Sequence, residues 1–336
     1  MTLPVVALFN NKSGVGKTLL VYHLAWMYAE FGVRVLAVDL DPQANLTTAF
    51  IDEDDLIALW PDEGHGPTVY GSIRPLLRGV GDVAVAPLIA LDDKLALLPG
   101  DLALSQFEDD LSSQWLDCLE GKERAFRVIS AFHRLIADGV RQCRADITLV
   151  DVGSNLGAIN RAALAAATHV VVPLAPGLFS LQGLRNLGPA LRRWRGEWQD
   201  RLPHNPDTEL ELPAGRMSPT GYVLQPDSVR PGQPVAAYHR WMQRIPSVYR
   251  KDVLDEGDEA PPIDEDPNCL ARFKYYRGLA PMALDARKPV FALKPADGAF
   301  GGHQKAVQHA YRDFAELATT IAERVGTDLR AAFASA

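Results

Sequence analysis

Short apolar runs without alternation recur along the chain, separated by stretches in which apolar residues return every three or four positions. Val5-Val6-Ala7-Leu8-Phe9, Val33-Arg34-Val35-Leu36-Ala37-Val38, Leu95-Ala96-Leu97-Leu98, Asp146-Ile147-Thr148-Leu149-Val150, His169-Val170-Val171-Val172-Pro173-Leu174 and Gly221-Tyr222-Val223-Leu224 read as strands buried on both faces. Between them the helical period predicts helices from Lys17 to about Phe31, from Thr68 to Leu77, from about Leu102 to Cys118, from Lys122 to Cys143 and from His303 to about Arg324. In the last of these Val307, Ala310, Tyr311, Phe314, Leu317, Ala318 and Ile321 form one stripe, read as core packing. Helices alternating with short buried strands predict an α/β fold, a doubly wound, mostly parallel sheet covered by helices on both faces.

Three stretches break the pattern and read as surface insertions on a single domain spanning 1–336. Residues 52–66 are acidic without core periodicity, 202–219 are punctuated by proline and glycine, and 255–266 are acidic and proline-containing. Tyr238 to Pro246 reads as a helix with an exposed basic face. With 336 residues and 47% apolar content the chain can bury a large core. Three cysteines, Cys118, Cys143 and Cys269, show no metal spacing and cannot all pair, which points to a reducing cytoplasm. The first apolar run is too short for a signal segment and leads directly into a glycine-rich turn, so no leader is expected, and no helix-turn-helix domain is expected ahead of that turn. No run approaches the roughly 20 apolar residues of a membrane span.

The chemistry gathers at strand ends. The first strand runs into Asn10-Asn11-Lys12-Ser13-Gly14-Val15-Gly16-Lys17-Thr18 and then a helix, the context a phosphate-binding loop needs. Backbone N–H groups and the helix dipole favour an anion there. Lys17 is expected to reach the β- and γ-phosphates, and the Thr18 hydroxyl to ligate Mg²⁺. The common form G-x-x-x-x-G-K-S/T fails, because Asn11 stands where its first glycine belongs and Lys12 sits near the start of the loop. The second strand ends in Asp39-Leu40-Asp41-Pro42-Gln43-Ala44-Asn45, where open α/β sheets gather ligands. Another ends in Asp151-Val152-Gly153-Ser154-Asn155-Leu156-Gly157, with Asp151 placed to hold Mg²⁺ directly or through water.

These segments resemble the ParA/MinD family of phosphate-loop ATPases, with their deviant loop K-G-G-x-G-K-S/T, a D-x-D-P-Q-x-N segment and a D-x-P-P-x-L-G segment, and lie nearest the ParA/Soj partition ATPases. The resemblance implies a P-loop NTPase fold, ATP and Mg²⁺ as nucleotide and cofactor, and slow, partner-stimulated hydrolysis. It implies that Lys12 acts in trans across a dimer interface, that Lys17 acts in cis, and that Asp41 positions the attacking water. Thr18, Asp39 and Asp151 carry over as the Mg²⁺ set. Nucleotide contacts carry over to Lys12, Ser13, Gly14, Val15, Gly16, Lys17, Thr18 and Leu19, with Gln225 and Pro226 in the adenine loop. Phe179-Ser180-Leu181-Gln182-Gly183-Leu184 resembles the start of a helix near the dimer interface, and Arg287-Lys288-Pro289-Val290-Phe291 the opening of a late strand. Two departures stand out. Ser13 replaces a glycine, which at positive φ would stiffen the loop. Gly153-Ser154 replace two prolines, which frees the loop that senses the γ-phosphate.

The same resemblance implies a homodimer in the ATP state, a ParB-like activating partner, nonspecific DNA, and a cytoplasmic, nucleoid-associated setting in plasmid or chromosome partition. A net charge of −8 gives no bulk nucleic-acid character. DNA contact therefore needs a local stripe, and two are present. One is Arg185, Arg192, Arg193, Arg195 and Arg201, interleaved with Trp194 and Trp198; the other is Arg240, Arg244, Arg250 and Lys251. A solvated helix face accounts for each equally well. The main alternative is a non-partition regulatory or cargo-positioning ATPase of this family that works on a protein. A small-molecule kinase would need a substrate pocket and acid/base set that the sequence does not display. The tail after Gly326 carries one arginine, one aspartate and few large apolar groups, so no MinD-like membrane helix is expected.

Overall fold

Strands β1 (Val5–Leu8), β2 (Val35–Leu40), β3 (Ile89–Asp92), β4 (Leu95–Leu98), β5 (Ile147–Val152), β6 (His169–Leu174), β7 (Ser218–Leu224) and β8 (Cys269–Arg272) form one sheet. Their order is β3-β4-β2-β5-β1-β6-β7-β8. All neighbours pair in parallel except β3, which runs antiparallel to β4 at one edge. The computed structural model describes residues 3–61, 64–175, 177–225, 240–273, 276, 278–327 and 329.

Both faces of the sheet are covered, for a reason visible in β1. Val5, Ala7 and Phe9 enter one core and Val6 and Leu8 the other, since alternate side chains of a strand point to opposite faces. On the second face lie α1 (Lys17–Glu30), with Leu20, Leu24 and Tyr28 fully buried, and the last helix (Gly302–Val325), with Phe314, Leu317 and Ile321. The helical stripe of that last helix packs as expected, although Tyr311 is 38% exposed. The first face is built from α4 (Val69–Leu77), α5 (Glu108–Asp117), α6 (Glu123–Ile129), α7 (Ala131–Cys143), α8 (Ala158–Ala166) and α9 (Leu178–Arg201). At the amino ends of β2 and β5, Asp146 accepts from the Arg34 backbone N (3.0 Å), Nε (3.0 Å) and Nη2 (2.6 Å).

Several boundaries differ from the sequence reading. The acidic stretch after Asp52 contains a helix, α3 (Glu53–Leu59), which buries Leu59 in the core of the second face. The region from Leu102 to Cys118 divides into a 3₁₀ turn (Leu102–Phe107) and α5, and that from Lys122 to Cys143 breaks at Ser130 into α6 and α7. Val290–Ala292 form a 3₁₀ turn instead of a strand, and the Val290 N–H donates to His23 Nε2 (3.1 Å) on α1. The 255–266 run is solvated only in part: Ile263 is buried, and Asp266 accepts from the Tyr222 hydroxyl (2.6 Å) inside the core. Cys118, Cys143 and Cys269 are free thiols. Among the described residues no helix is long and apolar enough to cross a membrane. Tyr238 and His239, and the tail at 328 and 330–336, lie outside the described residues.

Candidate functional site

The loop after β1 is shaped by two glycines and pinned by an asparagine. Gly14 (φ 71°) and Gly16 (φ 79°) are left-handed, a conformation that disfavours a Cβ. A Cβ on Gly16 would also lie 2.2 Å from Gln225 Oε1, because the Gln225 carboxamide rests on the loop and its Nε2 donates to Gly16 O (3.2 Å). Buried Asn10 donates to Pro173 O (2.8 Å) and accepts from the Lys12 N–H (2.9 Å), tying the loop to the end of β6. Ser13 is not among the residues with positive φ, so its replacement of glycine brings no left-handed strain. That corrects the expected stiffening.

Parallel pairing sets Asp39 of β2 beside Asp151 of β5 at the carboxyl ends of the strands. Asp39 is fully buried with both oxygens engaged. Oδ2 accepts from Thr47 N (2.8 Å) and Oγ1 (2.7 Å) on α2 (Asn45–Phe50), and Oδ1 from Asp41 N (3.2 Å). The Gly100 N–H donates to Thr47 Oγ1 (2.8 Å), and a Cβ on Gly100 would come 2.8 Å from Asp39 Cγ. Burial pushes the Asp39 carboxyl up to about 6 against these hydrogen bonds. Asp151 is equally buried, but neither of its oxygens is hydrogen-bonded. Burial first, and then the Asp39 charge, hold its carboxyl well above the usual range. The nearby Thr18 hydroxyl and the Lys17 ammonium oppose that shift, Thr18 without reaching full hydrogen-bond geometry.

Lys17 opens α1, and its buried ammonium donates to Ser154 Oγ. Burial lowers its pKa, while Asp151 and Asp41 act to raise it. Asp41 Oδ1 accepts from Gln43 N (3.0 Å). Ser13, Gly14, Gly16, Lys17, Thr18 and Leu19 form one wall of a cavity of about 560 Å³, which Asp41, Gly153 and Ser154 face. Val15 is buried beneath the loop. The half-buried Lys12 lies outside that lining, and its ammonium has no partner among the described residues. Pro226 lies outside the described residues.

The arrangement suits a nucleotide and a divalent cation. A loop of backbone donors ending on a helix N-terminus is matched by a buried, unpartnered carboxylate beside the Thr18 hydroxyl. Among the described residues no group of three or more His, Cys, Asp or Glu could hold a metal. A cation here would draw most of its oxygens from phosphate and water, as Mg²⁺ does. A different cavity, of about 510 Å³, is lined by Arg127 and Arg134, but Asp82, Glu123 and Asp207 already engage their guanidinium groups.

Three contacts at the site had no signal in the sequence: Ser154 on Lys17, Gln225 on Gly16, and Thr47 with Gly100 around Asp39. Apart from the local Thr47–Asp39 bonds, these contacts join segments that are distant in sequence.

The arginines of α9 divide between exposed positions, Arg185 and Arg193, and positions engaged by the fold. Trp194 and Trp198 are buried. Arg192 Nη1 donates to Asp252 O (2.9 Å), Arg195 Nη2 to Met217 O (2.9 Å) and Arg201 Nε to Trp115 O (2.7 Å). Arg185 lies 3.9 Å from Asp252, while Arg193 is 61% exposed beside Glu197. Helical periodicity explains the split, since positions this closely spaced point to both sides of a helix. Arg240 and Arg244 are exposed; Arg250 and Lys251 pair with Glu256 and Asp258.

Residues 3–203 match a family described as an AAA domain. The chain is 30% identical over 201 residues to the chromosome partitioning protein ParA of Caulobacter vibrioides, covering 60% of this chain and 66% of that protein. It is 31% identical over 197 residues to the chromosome-partitioning ATPase Soj of Thermus thermophilus, covering 59% of this chain and 65% of that one. The matched segment thus spans less than two thirds of these relatives' length. Among solved structures, protein DIP2308 of Corynebacterium diphtheriae superposes with a TM-score of 0.71 at 23% identity, over 96% of this chain and 99% of that one. Cyanothece McdA in its ATP complex superposes with a TM-score of 0.61 at 14% identity, over 97% of each chain. The fold, the phosphate loop and this family match agree, and the chain belongs to the ParA/MinD-type P-loop ATPases.

Proposed function

We propose that the chain is a partition-type ATPase that closes into a face-to-face dimer on binding ATP and reopens on hydrolysis. The observation that carries this reading is Asp151, whose buried carboxylate lacks any hydrogen bond beside Lys17 and Thr18. Such a group is costly unless a cation joins it. Amides of the loop from Ser13 to Leu19 hold the phosphates, and Lys17 neutralises them. Thr18 and Asp151 hold Mg²⁺, with Asp39 supporting from behind through its own hydrogen bonds. When bound, the ion supplies positive charge against the phosphate oxygens. Asp41, steadied by the Gln43 N–H, orients the attacking water from the opposite wall. Gln225, lying across Gly16, belongs to the side that meets the adenine.

Lys12 reaches the partner subunit's phosphates in the closed dimer. Leu178, 52% exposed, and Phe179, 76% exposed, open α9 after β6, beside the loop that Asn10 ties there, and closure would cover them. The dimer holds its cargo, with a ParB-like protein speeding release. Random duplex DNA, the expected track, would be met by Arg193, Arg240 and Arg244. The engagement of Arg192, Arg195 and Arg201 within the fold favours a second reading, a cargo-positioning ATPase that binds a protein instead.

The test is binding to random duplex DNA at two salt concentrations, with ATP, with ADP, and with Lys12→Ala. Binding that needs ATP and Lys12 and weakens with salt supports partition on DNA. ATP-dependent dimerisation without DNA binding supports the protein-partnered reading.

A further inference from the structure

We propose that Ser154 is a positioning residue, the hydroxyl through which the loop of residues 153–157 tells a nucleoside triphosphate from a diphosphate. This rests on the ATPase reading above. Ser154 Oγ accepts from Lys17 Nζ and has no other hydrogen-bond partner among the described residues. Its own proton is therefore uncommitted, and the residue faces the cavity that the phosphate loop lines. A hydroxyl can accept from an ammonium and donate to an anion at once. A terminal phosphoryl oxygen seated against Lys17 comes within reach of that donor. A diphosphate, which ends one phosphoryl group earlier, engages Lys17 alone.

The residues after Ser154 are anchored, so the contact is transmitted. The Gly157 N–H donates to Asn155 Oδ1 (2.9 Å), and Asn160 Nδ2 donates to Asn155 O (2.8 Å). Glu108, the first residue of α5, accepts from the Ala158 and Ile159 N–H groups and so caps α8. Upstream, Gly153 leaves the backbone free to adjust. Ser154 is thus where the loop touches the phosphates, and its far end is fixed to two helices. Proline at this position, as in the family pattern, would offer no hydroxyl.

The test is calorimetric titration of the full chain with Mg·ADP and with the non-hydrolysable triphosphate Mg·AMPPNP, on the native protein, Ser154→Ala, Ser154→Thr and Ser154→Pro. Loss of one hydrogen bond to a charged acceptor should weaken AMPPNP binding by about tenfold or more in Ser154→Ala. ADP affinity should stay unchanged, and Ser154→Thr should restore the triphosphate preference. Ser154→Pro must show the same selective loss as alanine. Equal weakening of both nucleotides, or of neither, overturns the role of Ser154 and leaves the ATPase reading standing. Failure of the native protein to bind either nucleotide overturns both.

Discussion

Asp39 and Asp151 are register partners on adjacent parallel strands, both fully buried, yet only Asp39 has its oxygens satisfied by the protein. Burial raises both carboxyls above their usual range; the Asp39 charge adds to the shift of Asp151, and the Asp41 charge acts on both. The satisfied acid is a fixed part of the scaffold. The unsatisfied one is the part a cation completes.

Asp151→Asn should therefore separate stability from cation binding. Without ligand the variant should be at least as stable as the native protein, since a neutral amide avoids burying a charge beside Asp39. Its thermal midpoint should no longer rise when Mg²⁺ and ATP are added together. Thermal melts with and without the two ligands check both halves; a normal ligand-induced rise would remove Asp151 from the Mg²⁺ site.

Lys12→Ala and Lys17→Ala should fail at different stages. Lys17 is buried at the helix start facing the cavity, so its loss should abolish nucleotide binding. Lys12 lies outside the cavity lining, and its loss should leave binding intact while the protein stays monomeric in ATP. Light scattering alongside a nucleotide-binding assay distinguishes the two, and an ATP-dependent dimer of Lys12→Ala would end the trans role.

Asp41→Ala should retain nucleotide and accumulate as the closed dimer. Turnover should fall by about 100-fold or more, the usual contribution of a positioned base. Phosphate release measured beside the oligomeric state checks this. Unchanged turnover would hand the water to another residue.

Much of this site could be read in the chain because its chemistry is local. Gly14, Gly16, Lys17 and Thr18 lie within one turn, and Asp39, Asp41 and Asp151 each end an apolar run. What escaped reading depends on pairs distant in sequence or on weak patterns. Lys17 and Ser154 are 137 residues apart. Strand β3 is four residues long and only half-buried, so its alternation is too brief to register. Helix α3 buries one residue, Leu59, beneath three acids in its first turn. On α9 the arginines gave a count without a direction. Helical phase and the carbonyls of Asp252 and Met217 hold the half-buried Arg192 and Arg195 against the fold.

His23 should give the fold an acid limit. Its Nε2 accepts from Val290 N and its Nδ1 contacts Leu19 O (2.7 Å), so the neutral ring joins α1 to the 3₁₀ turn before the last helix. Burial pushes its pKa from 6.5 down to about 4. The unfolded chain then binds the proton more readily. This contribution is fully present above pH 6.5 and is lost as pH falls toward about 4, amounting to about 3 kcal/mol. Asp39, raised from 3.8 to about 6, acts with the opposite sign over an overlapping range. The comparison must therefore be native protein against His23→Gln. Urea midpoints at several pH values should show a shallower acid loss in the variant, and parallel curves would rule out His23 as the source.

The clamp of Arg34 on Asp146 has a consequence for anyone seeking to harden this protein. It fastens β2 to β5 at the ends remote from the chemistry, while at the other ends the same two strands carry Asp39 and Asp151. The pair behaves like a tuning fork, held at the handle and under tension at the tines. Substitutions that relax the tines would raise the melting temperature and blunt the response to nucleotide together. Gains in robustness that spare responsiveness have to be sought at the handle.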